Sequence, residues 1–267
     1  MKINKKKIDR FQQKILDRYL DHKRSLPRRD TFDPYRVLVS EVMSQQTQVE
    51  RVVPKFEKFV STLPRLSDLA IVDKPTLLSL RSGLWFNSRA LRLQQTAHII
   101  LADHGGIVPD DREILLTLPG IWPYTSASIC AFAYNLPEPV VDTNIRRVLI
   151  HELWLDITIS SSDLEDVARM CIPVDRSNDR HNALMDYGSL VATTTVTGIK
   201  PTSKQSKFKW SDREVRWRVL KKLVAWDKLS QENISSQFPN KMVKSILIDM
   251  QKDGLIYMDN KHISIAA

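Results

Sequence analysis

Cysteine is scarce in this 267-residue chain. Only Cys130 and Cys171 occur, far apart and in no CxxC pair, which excludes zinc or iron–sulfur ligation by cysteine alone. Both are expected to be small core residues in a reduced compartment. No run approaches the roughly 18 apolar residues of a membrane-spanning helix. Residues 1–7 are basic, and 8–19 are amphipathic rather than the apolar core of a signal segment. Before residue 195 the chain also lacks any convincing alternation of apolar and polar residues, so no strands are expected there.

What the chain does have is positive charge and helical periodicity. Forty Lys and Arg against 31 Asp and Glu give a net charge of +9, a balance that suits a polyanionic partner without proving one. With 42% hydrophobic and 27% charged residues the composition is that of a folded globular protein. The length allows two or three compact units. Phe11, Ile15, Leu16 and Tyr19 form one helical stripe, Val37, Val39, Val42 and Met43 open another, and Val53, Phe56 and Phe59 continue the pattern. Prolines and glycines punctuate these stripes, and roughly eight to ten helices are expected before residue 195.

The texture changes at residue 193. Residues 193–209 are rich in Thr, Ser and Lys and read as a linker. Beyond it, helices are expected at 212–226, 231–238 and 241–252, then a β-hairpin over 255–265 turning at Asp259 and Asn260. Helix, helix, helix, hairpin is the order of a winged-helix unit. From residue 200 onward 14 basic residues face 7 acidic ones, which fits DNA contact as well as a lobe for protein docking or stabilisation.

Three stretches could carry chemistry. In LPGIWPYTS (118–126) a Leu-Pro-Gly turn closes one helix, Gly120 supplies a positive-φ position, and Pro123 starts the next helix. Backbone N–H groups at such a start can hold a phosphate, although an ordinary helix–helix corner reads the same way. In PVVDTNIRRV (139–148) Asp142 takes the N-cap position of a helix. Capping alone explains an Asp there, but a free carboxylate oxygen could also stabilise a sugar oxocarbenium ion. Arg146 and Arg147 could touch phosphates or face water. In SEVMSQQTQV (40–49) Glu41 lies among Val37, Val39, Val42 and Met43. Burial would raise its pKa and make it a proton donor, whereas an outward turn would make it ordinary. Gln45, Gln46 and Gln48 could bond base edges or fill a gap in a stack.

Together these stretches resemble the helix-hairpin-helix DNA glycosylase superfamily (HhH-GPD), and within it the MutY-type adenine glycosylases. LPRR (26–29), DPYR (33–36), the Gly105-Gly106 turn with Val108-Pro109, and ALMDYG (183–188) match as well, so the likeness covers about residues 8–192 in order. It implies an all-α, two-lobed helix-hairpin-helix glycosylase fold with a small C-terminal winged-helix (α+β) domain. One lobe would join 1–30 to 137–197 and carry Asp142. A six-helix barrel lobe would span 31–136 with the hairpin, 198–209 would be a linker, and 210–267 the winged-helix-like domain. The cleft would take Glu41 from the barrel side and Asp142 from the other.

The resemblance also implies roles. Glu41 corresponds to the general acid that protonates adenine N7, Asp142 to the carboxylate under the sugar cation, and Tyr124 and Asn144 to groups that hold them. A lyase branch of the superfamily has lysine where Tyr124 stands, so base release without strong β-lyase activity is expected. DNA contacts would come from Gln45, Gln46, Gln48, Ser88, Arg89, Leu118, Gly120, Trp122, Thr125 and Arg146. Arg28, Arg29 and Asp186 would border the base pocket.

Departures from the family pattern carry expectations of their own. The four cysteines that usually follow the position of Val191 are missing, with Ala192 at the first, so no iron–sulfur cluster, no catalytic metal and no other cofactor is expected. The 193–209 loop must then be held by packing or salt bridges, or stay mobile. A monovalent or alkaline-earth ion could sit at the hairpin. Trp122 replaces the hairpin's second glycine, Arg28 a tryptophan, and WFNS (85–88) a Gly-Tyr-Tyr-Ser. The C-terminal reader of oxidised guanine is missing. The expected substrate is double-stranded DNA with adenine opposite 8-oxoguanine or guanine, bound by a monomer with no membrane association. The expected place is the cytoplasm at the nucleoid, or the nucleus of a eukaryote. A thymine or uracil mismatch glycosylase is the enzymatic alternative, and a non-catalytic DNA-binding module the other.

Overall fold

The computed structural model describes the chain apart from residues 1–2, 27–28, 30, 81–86, 174, 203–207, 227, 239–241, 260–261 and 267. The elements run α1 (Lys5–His22), α2 (Pro34–Ser44), α3 (Val49–Thr62), α4 (Leu66–Ile71), α5 (Lys74–Leu80), α6 (Asn87–Asp103), α7 (Arg112–Thr117), α8 (Pro123–Ala133), α9 (Thr143–Leu153), α10 (Ser161–Met170), α11 (Ser177–Leu190) and α12 (Thr194–Thr197). Then come α13 (Asp212–Trp226), β1 (Lys228–Ser230), α14 (Gln231–Gln237), α15 (Val243–Lys252), β2 (Ile256–Met258) and β3 (His262–Ile265). None of the described helices is long and apolar enough to cross a membrane.

The chain groups into two compact units. Unit 1 holds residues 1–41, 109–117 and 121–204, and unit 2 holds 42–108, 118–120 and 205–267. This division runs elsewhere than the lobes expected from sequence. Glu41 falls in the same unit as Asp142, and α8 joins the terminal helices because it packs on α7 and α11. Residues 205–267 group with 42–108 through the contact of α13 with α5.

Unit 1 is built around α11. Every residue from 177 to 188 except Asp179 is buried, because α1, α8 and α9 all pack against this helix. Its polar residues Asn178, Arg180, His181, Asn182 and Asp186 are therefore inside the protein, where each needs a partner. In α1 the Asn4 side chain accepts from Lys6 N–H and caps the helix, and the stripe Ile8, Phe11, Ile15 and Leu16 is buried as its spacing requires. Cys130 and Cys171 are buried and unbridged.

In unit 2 the Gln94 amide donates to the carbonyls of Leu69, Ala70 and Val72 at 3.2, 3.2 and 2.6 Å, satisfying the C-terminal end of α4. The 118–120 turn sits on α6, where Thr96 Oγ1 donates to Pro119 O at 2.9 Å. Gly120 has φ +79, and a Cβ there would lie 3.2 Å from Arg92 Cβ. The positive φ favours glycine, and a side chain there would also crowd Arg92. The C-terminal strands form an antiparallel sheet in the order β1-β3-β2, with Leu229 opposite Ile263 and Met258 also opposite Ile263.

Element by element, the expected helix at 212–226 matches α13, and α14 and α15 fall inside their expected spans. Residues 239–241 and the Asn260 turn lie outside the described residues. Three features differ. Eleven helices precede residue 193 among the described residues, and the supposed linker begins with the short helix α12. Thr193 caps α12 by accepting from Val196 N–H at 3.3 Å, so a Thr-rich stretch that looked like a linker supplies a helix start. Strand β1 was also missed, because three residues are too few to show alternation.

Candidate active site

Asp142 is the N-cap of α9. One carboxylate oxygen accepts Ile145 N–H at 2.7 Å and the other accepts the Asn144 amide at 3.1 Å. Burial pushes this carboxyl upward from the ordinary range, those two donors and Arg147 pull it back, and the net direction is up. The positive end of the α9 dipole favours the anion at this place. The segment leading into the cap is tethered by a buried histidine. His181 Nδ1 lies 2.7 Å from Ser177 O, a carbonyl that can only accept, so Nδ1 carries the proton and Nε2 accepts Val140 N–H at 3.1 Å. Burial keeps this ring neutral, with its pKa lowered to about 4.

Arg147 secures the other side of Asp142. It is 5% exposed. Its Nη2 donates to Asn144 Oδ1 at 2.7 Å and to Gly188 O at 2.6 Å, and its Nε donates to Ala192 O at 2.6 Å. A chain of bonds thus runs from Asp142 through Asn144 and Arg147 to the end of α11. Gly188 makes this packing possible, since a Cβ there would lie 2.9 Å from Asn144 Cβ and 3.1 Å from Asn144 O.

A small pocket in the same unit is lined by Arg29, Val37, Ser40, Glu41, Phe132, Asn178 and Asn182. Glu41 is 4% exposed, so the buried alternative holds and the outward turn does not. The Ser40 hydroxyl and Arg29 Nε are buried without a hydrogen-bond partner within the protein, so both can bond a polar group that enters the pocket. Arg29 is locked in position by a bidentate pair to Asp186, 2.8 Å for each bond, and Arg24 Nε adds a third at 2.6 Å. Burial would raise the Asp186 carboxyl, but these arginines hold it below the usual carboxylate range.

Unit 2 carries the polar glutamine run. Gln46 takes φ +55 in the turn after α2, and Gln46 and Gln48 are exposed. Arg89 Nη1 donates to Gln45 O at 2.5 Å, and the Gln45 amide reaches Gly120 O at 3.4 Å. The chain turn is thereby fixed from behind, with Gln45 turned inward and Gln46 and Gln48 outward. Burial lowers the Arg89 guanidinium to about 10.

The comparisons with known proteins bear on what these groups do. Residues 39–173 match the family described as HhH-GPD superfamily base excision DNA repair protein. The adenine DNA glycosylase of Mycolicibacterium smegmatis is 34% identical over 224 residues, 76% of this chain and 76% of that one. The chain belongs to the HhH-GPD superfamily. A solved thermostable thymine-DNA glycosylase superposes with a TM-score of 0.65 at 27% identity, covering 70% of this chain and 88% of that one. An endonuclease III in a non-covalent DNA complex superposes at 0.64 and 19% identity, covering 75% and 91%, and so supports the fold alone.

The structure gives several residues singled out in this HhH-GPD sequence intramolecular partners or buried positions. Leu118 and Thr125 are 3% and 1% exposed, so their side chains pack inside and only their backbone could meet DNA. Arg89 holds Gln45, Arg146 Nη2 donates to Ile157 O at 2.7 Å, and Arg147 faces neither phosphate nor water. Trp122 is exposed as the N-cap of α8, with Pro123 and half-buried Tyr124 opening that helix. Ser88 is half-buried. Arg28 and the 85–86 pair lie outside the described residues. Sequence reading missed Arg24, Ser40, Asn178, Asn182 and His181. The available signal was a polar set on a helix otherwise apolar enough to be wrapped on all sides.

A [4Fe–4S] cluster does not fit this HhH-GPD chain. Four thiolates are needed, and no cysteine follows Cys171. The stretch that would carry the ligands is instead anchored by Arg147 at Ala192 O. Among the described residues no group of His, Cys, Asp and Glu is placed to hold a metal ion.

Proposed function

We propose that this chain is a monofunctional adenine DNA glycosylase of base excision repair, acting on adenine paired with 8-oxoguanine or guanine. The observation that carries the reading is a capped, hydrogen-bonded Asp142 in the same unit as a polar pocket lined by buried Glu41. Relatives named adenine DNA glycosylase support it. The adenine swings out of the duplex and enters the pocket. Glu41 protonates N7, so the C1′–N9 bond breaks with the electron pair leaving on a neutral base. Asp142, facing the sugar as an anion, stabilises the oxocarbenium ion until water adds to C1′. Asn144 fixes the carboxylate's orientation. Tyr124 offers no amine, so no Schiff base forms and the abasic strand stays uncut.

Gln45, Gln46 and Gln48 fill the place vacated in the duplex, and the 118–126 hairpin holds the backbone phosphates, with or without a bound cation. We read the α13, β1, α14, α15, β2, β3 order as a winged helix, whose excess of basic residues adds to the contact with DNA. The enzyme acts as a monomer, without a redox cofactor, wherever the cell keeps its DNA.

Single-turnover release from A·8-oxoguanine, A·G, T·G and U·G duplexes tests the reading. Release of adenine, lost in Glu41→Gln, supports it. Release from T·G or U·G alone would replace it with a pyrimidine mismatch enzyme, the reading that the thymine-DNA glycosylase likeness favours. Tight binding without release would make the chain an inert DNA-binding module.

A further inference from the structure

We infer that Asn178 is a positioning residue that sets which base the pocket accepts, by fixing the polarity of Asn182. The inference rests on the glycosylase reading and concerns the edge of the purine that carries N7. It begins at a group whose polarity is not adjustable. The Phe132 carbonyl can only accept, and Asn178 Nδ2 donates to it at 2.8 Å. The Asn178 amide is therefore oriented with its oxygen on the opposite side. That oxygen accepts Asn182 Nδ2 at 2.8 Å, so the Asn182 amide is oriented in turn, and its own oxygen is the end left over. Asn178 is itself held at its backbone, where its N–H donates to Asn135 Oδ1 at 3.0 Å.

Among the described residues no donor reaches Asn182 Oδ1, while Asn182 is 3% exposed and lines the pocket with Glu41. A buried amide would rotate to satisfy whichever ligand group it met. Here rotation would put two amide nitrogens face to face, and the unpaired donors would cost the site its hydrogen bond. The pocket thus presents a fixed acceptor beside the acid. On a purine, N7 and the substituent at C6 share one edge. Glu41 at N7 puts that substituent toward the neighbouring wall. An amino group at C6 donates to Asn182 Oδ1; a carbonyl at C6 meets it oxygen to oxygen. The relay from Phe132 through Asn178 to Asn182 selects 6-aminopurine and rejects 6-oxopurines such as hypoxanthine and guanine. A site that hydrogen-bonds one such group discriminates far more sharply than an apolar one.

The test compares single-turnover release of adenine and of hypoxanthine from duplexes that differ only in that base. Asn178→Leu keeps the volume and removes the relay, freeing the Asn182 amide to turn. The adenine-to-hypoxanthine rate ratio is expected to fall at least tenfold, partly through faster hypoxanthine release. Asn178→Ser, whose hydroxyl can bond Phe132 O but turns freely, is expected to lower the ratio less, and it serves should the leucine variant not fold. Asn182→Leu should remove the preference. An equal slowing of both bases in Asn178→Leu, with the ratio unchanged, would reduce Asn178 to a structural role and overturn the inference. A parent protein that releases no adenine would instead overturn the glycosylase reading, so the two failures are distinguishable.

Discussion

Replacing Arg147 by lysine tests whether one side chain both braces the terminal unit and steadies the catalytic aspartate. The guanidinium makes three short bonds in three directions, to Asn144 Oδ1, Gly188 O and Ala192 O at 2.7, 2.6 and 2.6 Å. A lysine ammonium is a single point and cannot follow the fork of Nε and Nη2. At least one of these buried acceptors, and in most placements two, loses its partner. Each charge-assisted bond is worth about 1.5–3 kcal/mol, so Arg147→Lys should destabilise by about 3 kcal/mol. For a protein of this size, with about 2–4 °C per kcal/mol, the melting midpoint should fall by roughly 6–12 °C. Differential scanning fluorimetry measures that directly. The released Asn144 amide would also let the Asp142 carboxylate turn, so adenine release should slow about tenfold with DNA affinity retained. A midpoint within about 2 °C of the parent would refute the reasoning, because it would mean that the acceptors find other donors.

Three further perturbations follow from the same geometry. Asp142→Asn keeps a side-chain oxygen for the Ile145 cap but removes the charge, so base release should fall by about 10²–10³ or more while DNA affinity stays within a few-fold; turnover above a few per cent of the parent would sink the assigned role. Gly188→Ala puts a methyl 2.9 Å from Asn144 Cβ and 3.1 Å from its carbonyl oxygen, contacts that only separation of α9 and α11 relieves. A loss of about 1–3 kcal/mol in urea unfolding, with slower base release, is expected. Asp186→Asn removes the partner of two arginines. Because the folded carboxyl lies below its ordinary value, its contribution is present above about pH 4 and lost as pH falls through the folded value. The variant should be less stable than the parent at pH 7 and draw level with it as pH falls through the lowered folded value; a gap that stays constant with pH would contradict the ion pair's role.

The sequence alone determined the helical class, the N-cap at Asp142 and the positive-φ turn at Gly120, while it left Glu41 open between burial and an outward turn until the structure showed it 4% exposed. Each of the first three is a local consequence of spacing, capping chemistry or backbone sterics. The C-terminal order of three helices and a hairpin was legible for the same reason, except for β1, whose three residues form a strand only because β3 pairs with them. What only the tertiary structure decided are the partners of the polar residues on α11. An isolated Asn, His or Arg carries no mark of whether it faces water or a carbonyl on another helix. Arg147 was open between touching phosphate and facing water, because a charge on a helix usually faces solvent, yet Gly188 lets α9 and α11 come close enough for it to span both. Asn178 and Asn182 stand one turn apart with nothing in the sequence to single them out, and the Phe132 carbonyl brought in by α8 gives their amides a direction. Long-range contacts set which lone pair points into the pocket, and no periodicity along the chain encodes that.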